Sequence, residues 1–193
     1  MSKSRVEAFT DAVIAIIMTI LVLNLDAPQS VSFEALFQMR YSFLFYLISF
    51  LSLAIYWLNH HHLFQITRKI SGKVLWINIL FILCLSFFPF ATSWADDNPG
   101  DRVPQLTYGV VILLTNIFYA LLCRELIRVN GRDSMLSKVL RSLWKNKVTI
   151  AINVLGLAVG FFWPPAVLVL FAASMVLWVM PDRQIERFLN EEE

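Results

Sequence analysis

A chain of 193 residues that is 58% hydrophobic and only 16% charged does not fit a soluble domain, in which about a quarter of residues carry charge. Its mean hydropathy is +0.66, and its apolar residues fall in blocks of roughly 16–22, the length that crosses a bilayer core of about 30 Å as helix; the short alternating segments of a barrel are not present. The net charge of +2 offers nothing for a nucleic acid, and the information lies in how the charges are distributed.

The first expected span, Val6–Leu25, follows Lys3 and Arg5 and is read as a retained anchor helix, because Glu7 and Asp11 interrupt what would otherwise resemble a cleavable leader. A carboxylate one to two turns into a membrane helix is costly unless it is paired or wet, which makes Asp11 a candidate functional group. At about 100° per residue, Ala12, Ile16, Thr19 and Leu23 share one stripe, with Arg5 and Asp26 near its ends. Asp11 lies roughly 100–140° away from that stripe. Two readings of the stripe stay open at this point. It is a packing face, as the small residues Ala8, Ala12 and Ala15 would suit, or it lines a path.

The second span, Phe37–Leu63, ends in His60-His61-His62, and the third, Val74–Trp94, opens with Trp76 and Asn78 and contains Pro89. Consecutive histidines on a helix point in different directions, and no HExxH-type spacing or nucleophile–base pair accompanies them; no metal site, cofactor or enzyme is expected. Cys84 and Cys123 lie inside apolar blocks without CxxC spacing and read as buried thiols. A fourth span, Thr107–Arg124, is followed by an amphipathic stretch from Glu125 to Lys147. The fifth and sixth, Val148–Phe162 and Pro165–Met180, are joined by Trp163-Pro164-Pro165 into a tight hairpin. The expected architecture is all-α: one six-span domain covering residues 1–193.

The charges assign its orientation. Lys3, Arg5, Arg68, Lys69, Lys73, the basic residues from Arg124 to Lys147, Arg183 and Arg187 fall on one side of such a six-span chain. Only Arg40 and Arg102 fall on the other, beside Asp26, Glu34, Asp96, Asp97 and Asp101. By the positive-inside rule both ends are expected in the cytoplasm.

A family resemblance then enters. Arg5-x-x-x-Phe9-Thr10-Asp11, running into Ala12-Val13 and on to Thr19, is similar to the RxxxFSD signature that opens the first helix of the lysosomal potassium channel family, transmembrane protein 175 and its single-repeat prokaryotic homologues. Ser49 through Phe64 and Trp76 through Thr92 resemble the family's second and third helices. The last three spans agree in number and hydropathy only. The resemblance implies a homotetramer in the plasma membrane of a prokaryote, with four copies of the first helix around a central pore for potassium ions and no TVGYG-type filter. It implies a constriction at Ile16 and Leu23, a selectivity hydroxyl at Thr19, and Asp26 at the pore mouth. It also implies a bracing network of Arg5, Phe9, Thr10, Asp11, His60, His61, Trp76 and Asn78. Thr10 stands where serine is usual, Ala12 where glycine is, and Asn24 where an acidic residue is common. An alternative use of the same groups is a proton path through Asp11 and the His60–His62 run.

Overall fold

The computed structural model describes residues 2–131, 134, 136–137 and 144–179. Among them the only regular structure is helix: α1 (Lys3–Leu23), α2 (Phe33–Gln38), α3 (Arg40–Gln65), α4 (Gly72–Ser86), α5 (Phe88–Asp97), α6 (Arg102–Asn130), α7 (Trp144–Gly160) and α8 (Ala166–Val179). The expected end of the last span at Met180, and Arg132, Lys138, Arg141, Arg183 and Arg187, lie outside the described residues, as does most of the stretch between Gly131 and Trp144.

The helices depart from the expected spans where local chemistry intervenes. The second span does not start at Phe37. Ser32 caps the short helix α2 by accepting from Ala35 N at 3.2 Å, and α2 stops at Gln38. After Met39, α3 runs 26 residues to Gln65. The third span is broken at Phe87, because Pro89 in the first turn of α5 has no N–H to continue the ladder of α4. The fourth helix is longer than the hydropathy block at both ends. It continues through Glu125, Arg128 and Asn130 and ends at Gly131, whose φ of +94° is open to glycine but costly for other residues.

Among the described residues, four helical stretches are long and apolar enough to cross a membrane: Lys3–Leu23, Arg40–Gln65, Gly72–Asp97 and Arg102–Asn130. The protein is therefore a multi-pass membrane protein. Over the described residues, helices α7 and α8 run for 17 and 14 residues, fewer than the roughly 20 of a typical span.

Helix α6 packs against α4, α5, α7 and α8, while α1 packs on α3, α4 and α5. The contact between α6 and the α7–α8 hairpin is close because Gly109 faces Leu157 and Val167. A Cβ built on Gly109 would stand 2.7 Å from Leu157 Cδ2 and 2.8 Å from Val167 Cγ1. Gly109→Ala is therefore expected to lower stability by about 1–3 kcal/mol through overpacking, read as a fall in the detergent melting temperature. Gly72→Ala, where a Cβ meets nothing within 4 Å, serves as the control.

Several polar groups inside the bundle are paired across helices. Ser49 of α3 bonds Thr92 of α5 at 2.8 Å and Tyr108 of α6 at 2.9 Å. At the opposite end, the Asn130 side chain works as a clamp on the α3–α4 loop. Its Oδ1 accepts from Arg68 N and Lys69 N, and its Nδ2 donates to Lys69 O and to Leu126 O. Glu125, almost fully buried, is held by Arg128 at 2.6 Å and by Lys73 at 3.5 Å.

The first helix and its polar braces

Val6, Thr10, Ile14, Ile17 and Leu21 are the buried residues of α1. Their spacing of three and four places them on one face, which docks on α3, α4 and α5. The opposite stripe is left bare in a single chain: Ile16 is 58% exposed and Leu23 75% exposed, and Ala12 and Thr19 are exposed with them. Beside the stripe, a groove of ≈ 1150 Å³ runs between α1 and α5, with Ile16, Ile20 and Leu23 on one wall and Pro89, Phe90 and Trp94 on the other. Thr19 Oγ1 donates its proton to Ala15 O at 2.9 Å, a bond within its own helix that leaves the oxygen's lone pairs unclaimed.

On the docked side, α1 is held by two separate sets of hydrogen bonds. The first is a chain whose direction is fixed by chemistry. Asn78 Oδ1 can only accept, so His60 donates to it through Nε2–H at 2.9 Å. Asn78 Nδ2 then donates to Thr10 Oγ1 at 2.9 Å, and Thr10 passes its own proton to Val6 O at 2.9 Å. The His60 ring lies between Phe64 and Phe81, with centroids 4.3 and 6.1 Å away, and its Nδ1 has no partner. His60 is thereby held as the neutral Nε2–H tautomer, because a proton on Nδ1 would be a buried donor with nothing to receive it.

The second set is a two-rung ladder between α1 and α3. His61 Nδ1 meets Glu7 Oε1 at 3.0 Å, and Trp57 Nε1 donates to Asp11 Oδ1 at 3.0 Å. Each helix contributes residues four apart, in opposite order, as antiparallel neighbours must. Gln65 Nε2 donates to the other ring nitrogen of His61 at 2.9 Å, so this imidazole also serves as donor on one side and acceptor on the other. Lys3 Nζ adds a bond to Gln65 O at 3.3 Å.

Of the residues expected to brace the first helix, the structure brings Thr10, Asn78 and His60 together as one chain and places Asp11 and His61 in the ladder. Asp11 is bonded by Trp57, which with Glu7 was not among the residues expected in the bracing network. The i, i+4 pairs Glu7/Asp11 and Trp57/His61 were the available signal. Arg5, Phe9 and Trp76 are exposed on the single chain and stand outside both sets, Trp76 at 69% exposure. At the far end of α1, Asn24 Nδ2 donates to Pro89 O at 3.3 Å. Exposed Asp26 there lines a hollow of ≈ 600 Å³ with Asp96, Asp97, Ser42 and Ser93. Among the described residues, no group of three or more His, Cys, Asp or Glu side chains is placed to hold a metal, and Cys84 and Cys123 are free thiols.

The first helix of this membrane protein thus has one face bound by buried polar groups and the other bare. The profile of the family described as "Endosomal/lysosomal potassium channel TMEM175" matches residues 5–89. A potassium channel from Chryseobacterium sp. is 39% identical over 99% of this chain and 100% of its own. The human endosomal/lysosomal proton channel TMEM175 is 32% identical over 61% of this chain but only 27% of its own length. The crystal structure of a lysosomal potassium-selective channel TMEM175 homolog from Chamaesiphon minutus superposes with a TM-score of 0.79, covering 94% of this chain and 97% of that one at 24% identity, a likeness of fold. The chain belongs to the TMEM175 family, which is a family of ion channels and not of enzymes.

Proposed function

We propose that this chain is a potassium-permeable cation channel that works as a homotetramer, with four copies of α1 around one axial path. The observation that carries this reading is the bare stripe. A helix docked so thoroughly on one side, by apolar packing and by both polar sets, presents Ile16, Thr19 and Leu23 on the other. Four Ile16 and four Leu23 side chains would form two apolar rings about 10 Å apart, seven residues at ~1.5 Å rise. A gap so lined dewets, and a hydrated ion cannot enter until the first helices splay. The Thr19 hydroxyl lies between the rings with its proton tied to Ala15 O, so its oxygen faces the path as an acceptor suited to a cation. One hydroxyl ring replaces far less of a hydration shell than stacked carbonyl rings, which predicts modest preference for potassium over sodium. Asp26 and the carbonyl ends of the four helices at the mouth favour cations over anions.

The rest of the assignment follows from the same reading. Residues 1–193 act as a single six-span domain, α7 and α8 crossing as a short hairpin, in the plasma membrane of a prokaryote with both ends cytoplasmic. Potassium is the permeant ion, and no resident cofactor is assigned. The test is flux through liposomes containing the pure protein. Potassium is expected to pass and chloride to be excluded; equal passage of chloride would sink the proposal.

A proton path is the second reading, favoured by the intramembrane carboxylate Asp11. The hydrogen bonds speak for bracing instead. The His60 chain ends on a backbone carbonyl and starts from a ring whose other nitrogen has no partner, and both ring nitrogens of His61 are already engaged, by Glu7 and Gln65. Asp11→Asn retains an acceptor for Trp57, so it is expected to leave potassium flux and any acid-driven flux in unchanged ratio. Selective loss of the acid-driven component would transfer support to the relay.

A further inference from the structure

Away from α1, a cleft opens where α3, α6, α7 and α8 meet, lined among others by Tyr56, Asn116, Thr149, Ser174, Met175 and Trp178. Its walls are mostly aromatic and aliphatic, but the polar groups do not balance. Tyr56 OH donates to Asn116 Oδ1 at 2.9 Å, which uses one end of that amide. The other end, Nδ2, is buried and has no partner, on a residue only 7% exposed. Turning the amide over merely exchanges an unpaired donor for an unpaired acceptor. Across the cleft, Thr149 Oγ1 accepts from Trp178 Nε1 at 2.8 Å, and Ser174 gives its proton to Phe171 O at 2.7 Å. Each hydroxyl oxygen retains a lone pair.

We infer that this cleft is an internal water site. The space that a water-sized sphere can occupy is ≈ 20 Å³, which is above the ~10–15 Å³ that one water requires and leaves no room for a larger guest inside. A single water there accepts from Asn116 and donates to the Thr149 and Ser174 oxygens, three bonds being the usual complement of a buried water. An acyl chain entering from the bilayer would leave the amide unpaired in an apolar setting, which is unfavourable. The water joins α6, which carries Asn116, to both arms of the α7–α8 hairpin. This inference stands on the subunit interior and does not depend on what passes along α1.

The test is a structure of the full chain in lipid nanodiscs at a resolution that shows waters, for wild type, Asn116→Leu and Ser174→Ala. Wild type is expected to show one compact density at about 2.7–3.2 Å from the free end of the Asn116 amide. That density should vanish in Asn116→Leu and weaken in Ser174→Ala, which removes one acceptor without touching the Tyr56–Asn116 pair. An empty cleft in wild type, elongated density of a lipid tail, or an Asn116 amide turned onto a protein group would each overturn the inference. Should Asn116→Leu fail to fold, undiminished density in Ser174→Ala would overturn the bridging geometry by itself.

Discussion

Potassium leak through reconstituted protein is expected to rise about tenfold or more when Leu23 is replaced by alanine, and again when Ile16 is replaced by asparagine. A lowering of about 1.4 kcal/mol in the barrier is enough for a factor of ten. Leu23→Ala withdraws three carbons from each chain, roughly twelve from the proposed ring of four, and each apolar carbon kept from water is worth about 0.8 kcal/mol. Only a small share of that apolar surface has to bear on the dewetted gap for the change to be seen. Ile16→Asn acts differently, by adding polar groups that hold water in the inner ring. The comparison that gives the result its meaning is Leu21→Ala. Leu21 is 2% exposed and points into the docked face, so its truncation is expected to cost about 2–5 kcal/mol of stability without opening a leak. If both stripe variants conduct like wild type, or if Leu21→Ala leaks as they do, Ile16 and Leu23 do not line the constriction.

The stripe was legible in the sequence because one helix determines it: helical angles alone gather Ala12, Ile16, Thr19 and Leu23, and the same arithmetic sets Asp11 apart. What faces the stripe was not legible, since a sequence does not display copies of itself. The partner of Asp11 was missed for a related reason. Pairing it with Trp57 requires the rotation of α3 relative to α1, and three adjacent histidines plus one tryptophan offered four candidate partners within two turns. The His60–Asn78–Thr10 chain was recovered only in outline, from family likeness; its direction, and the neutral tautomer it imposes on His60, follow from atoms. Hydropathy located the long helices but misjudged their ends, as it scores composition and not hydrogen bonds. The Ser32 cap, the missing N–H of Pro89 and the positive φ of Gly131 are what start α2, break the third span and close α6.

Asn78 is the residue whose loss should do most harm to the docking of α1. Its amide bonds both Thr10 of α1 and His60 of α3. Asn78→Leu nearly conserves volume but orphans the His60 Nε2–H, and an orphaned buried donor costs about 1–3 kcal/mol. His60 cannot recover by switching tautomer, because Nδ1 has no partner either and the ring is held between Phe64 and Phe81. A clear drop in melting temperature is expected, with less of the proposed tetramer surviving extraction, since an α1 freed on this side presents its stripe less uniformly. The decisive measurement is the cycle with His60→Leu. If the two side chains stabilise the subunit chiefly by satisfying each other, removing both should cost clearly less than the sum of the single losses, by about 0.5–3 kcal/mol. The doubly apolar variant then also asks what the chain is for. Potassium flux retained in that variant means that the polar network is a brace, replaceable by packing. Flux lost in a protein that still folds and assembles means that the network takes part in conduction, and the proton path through His60 regains its claim.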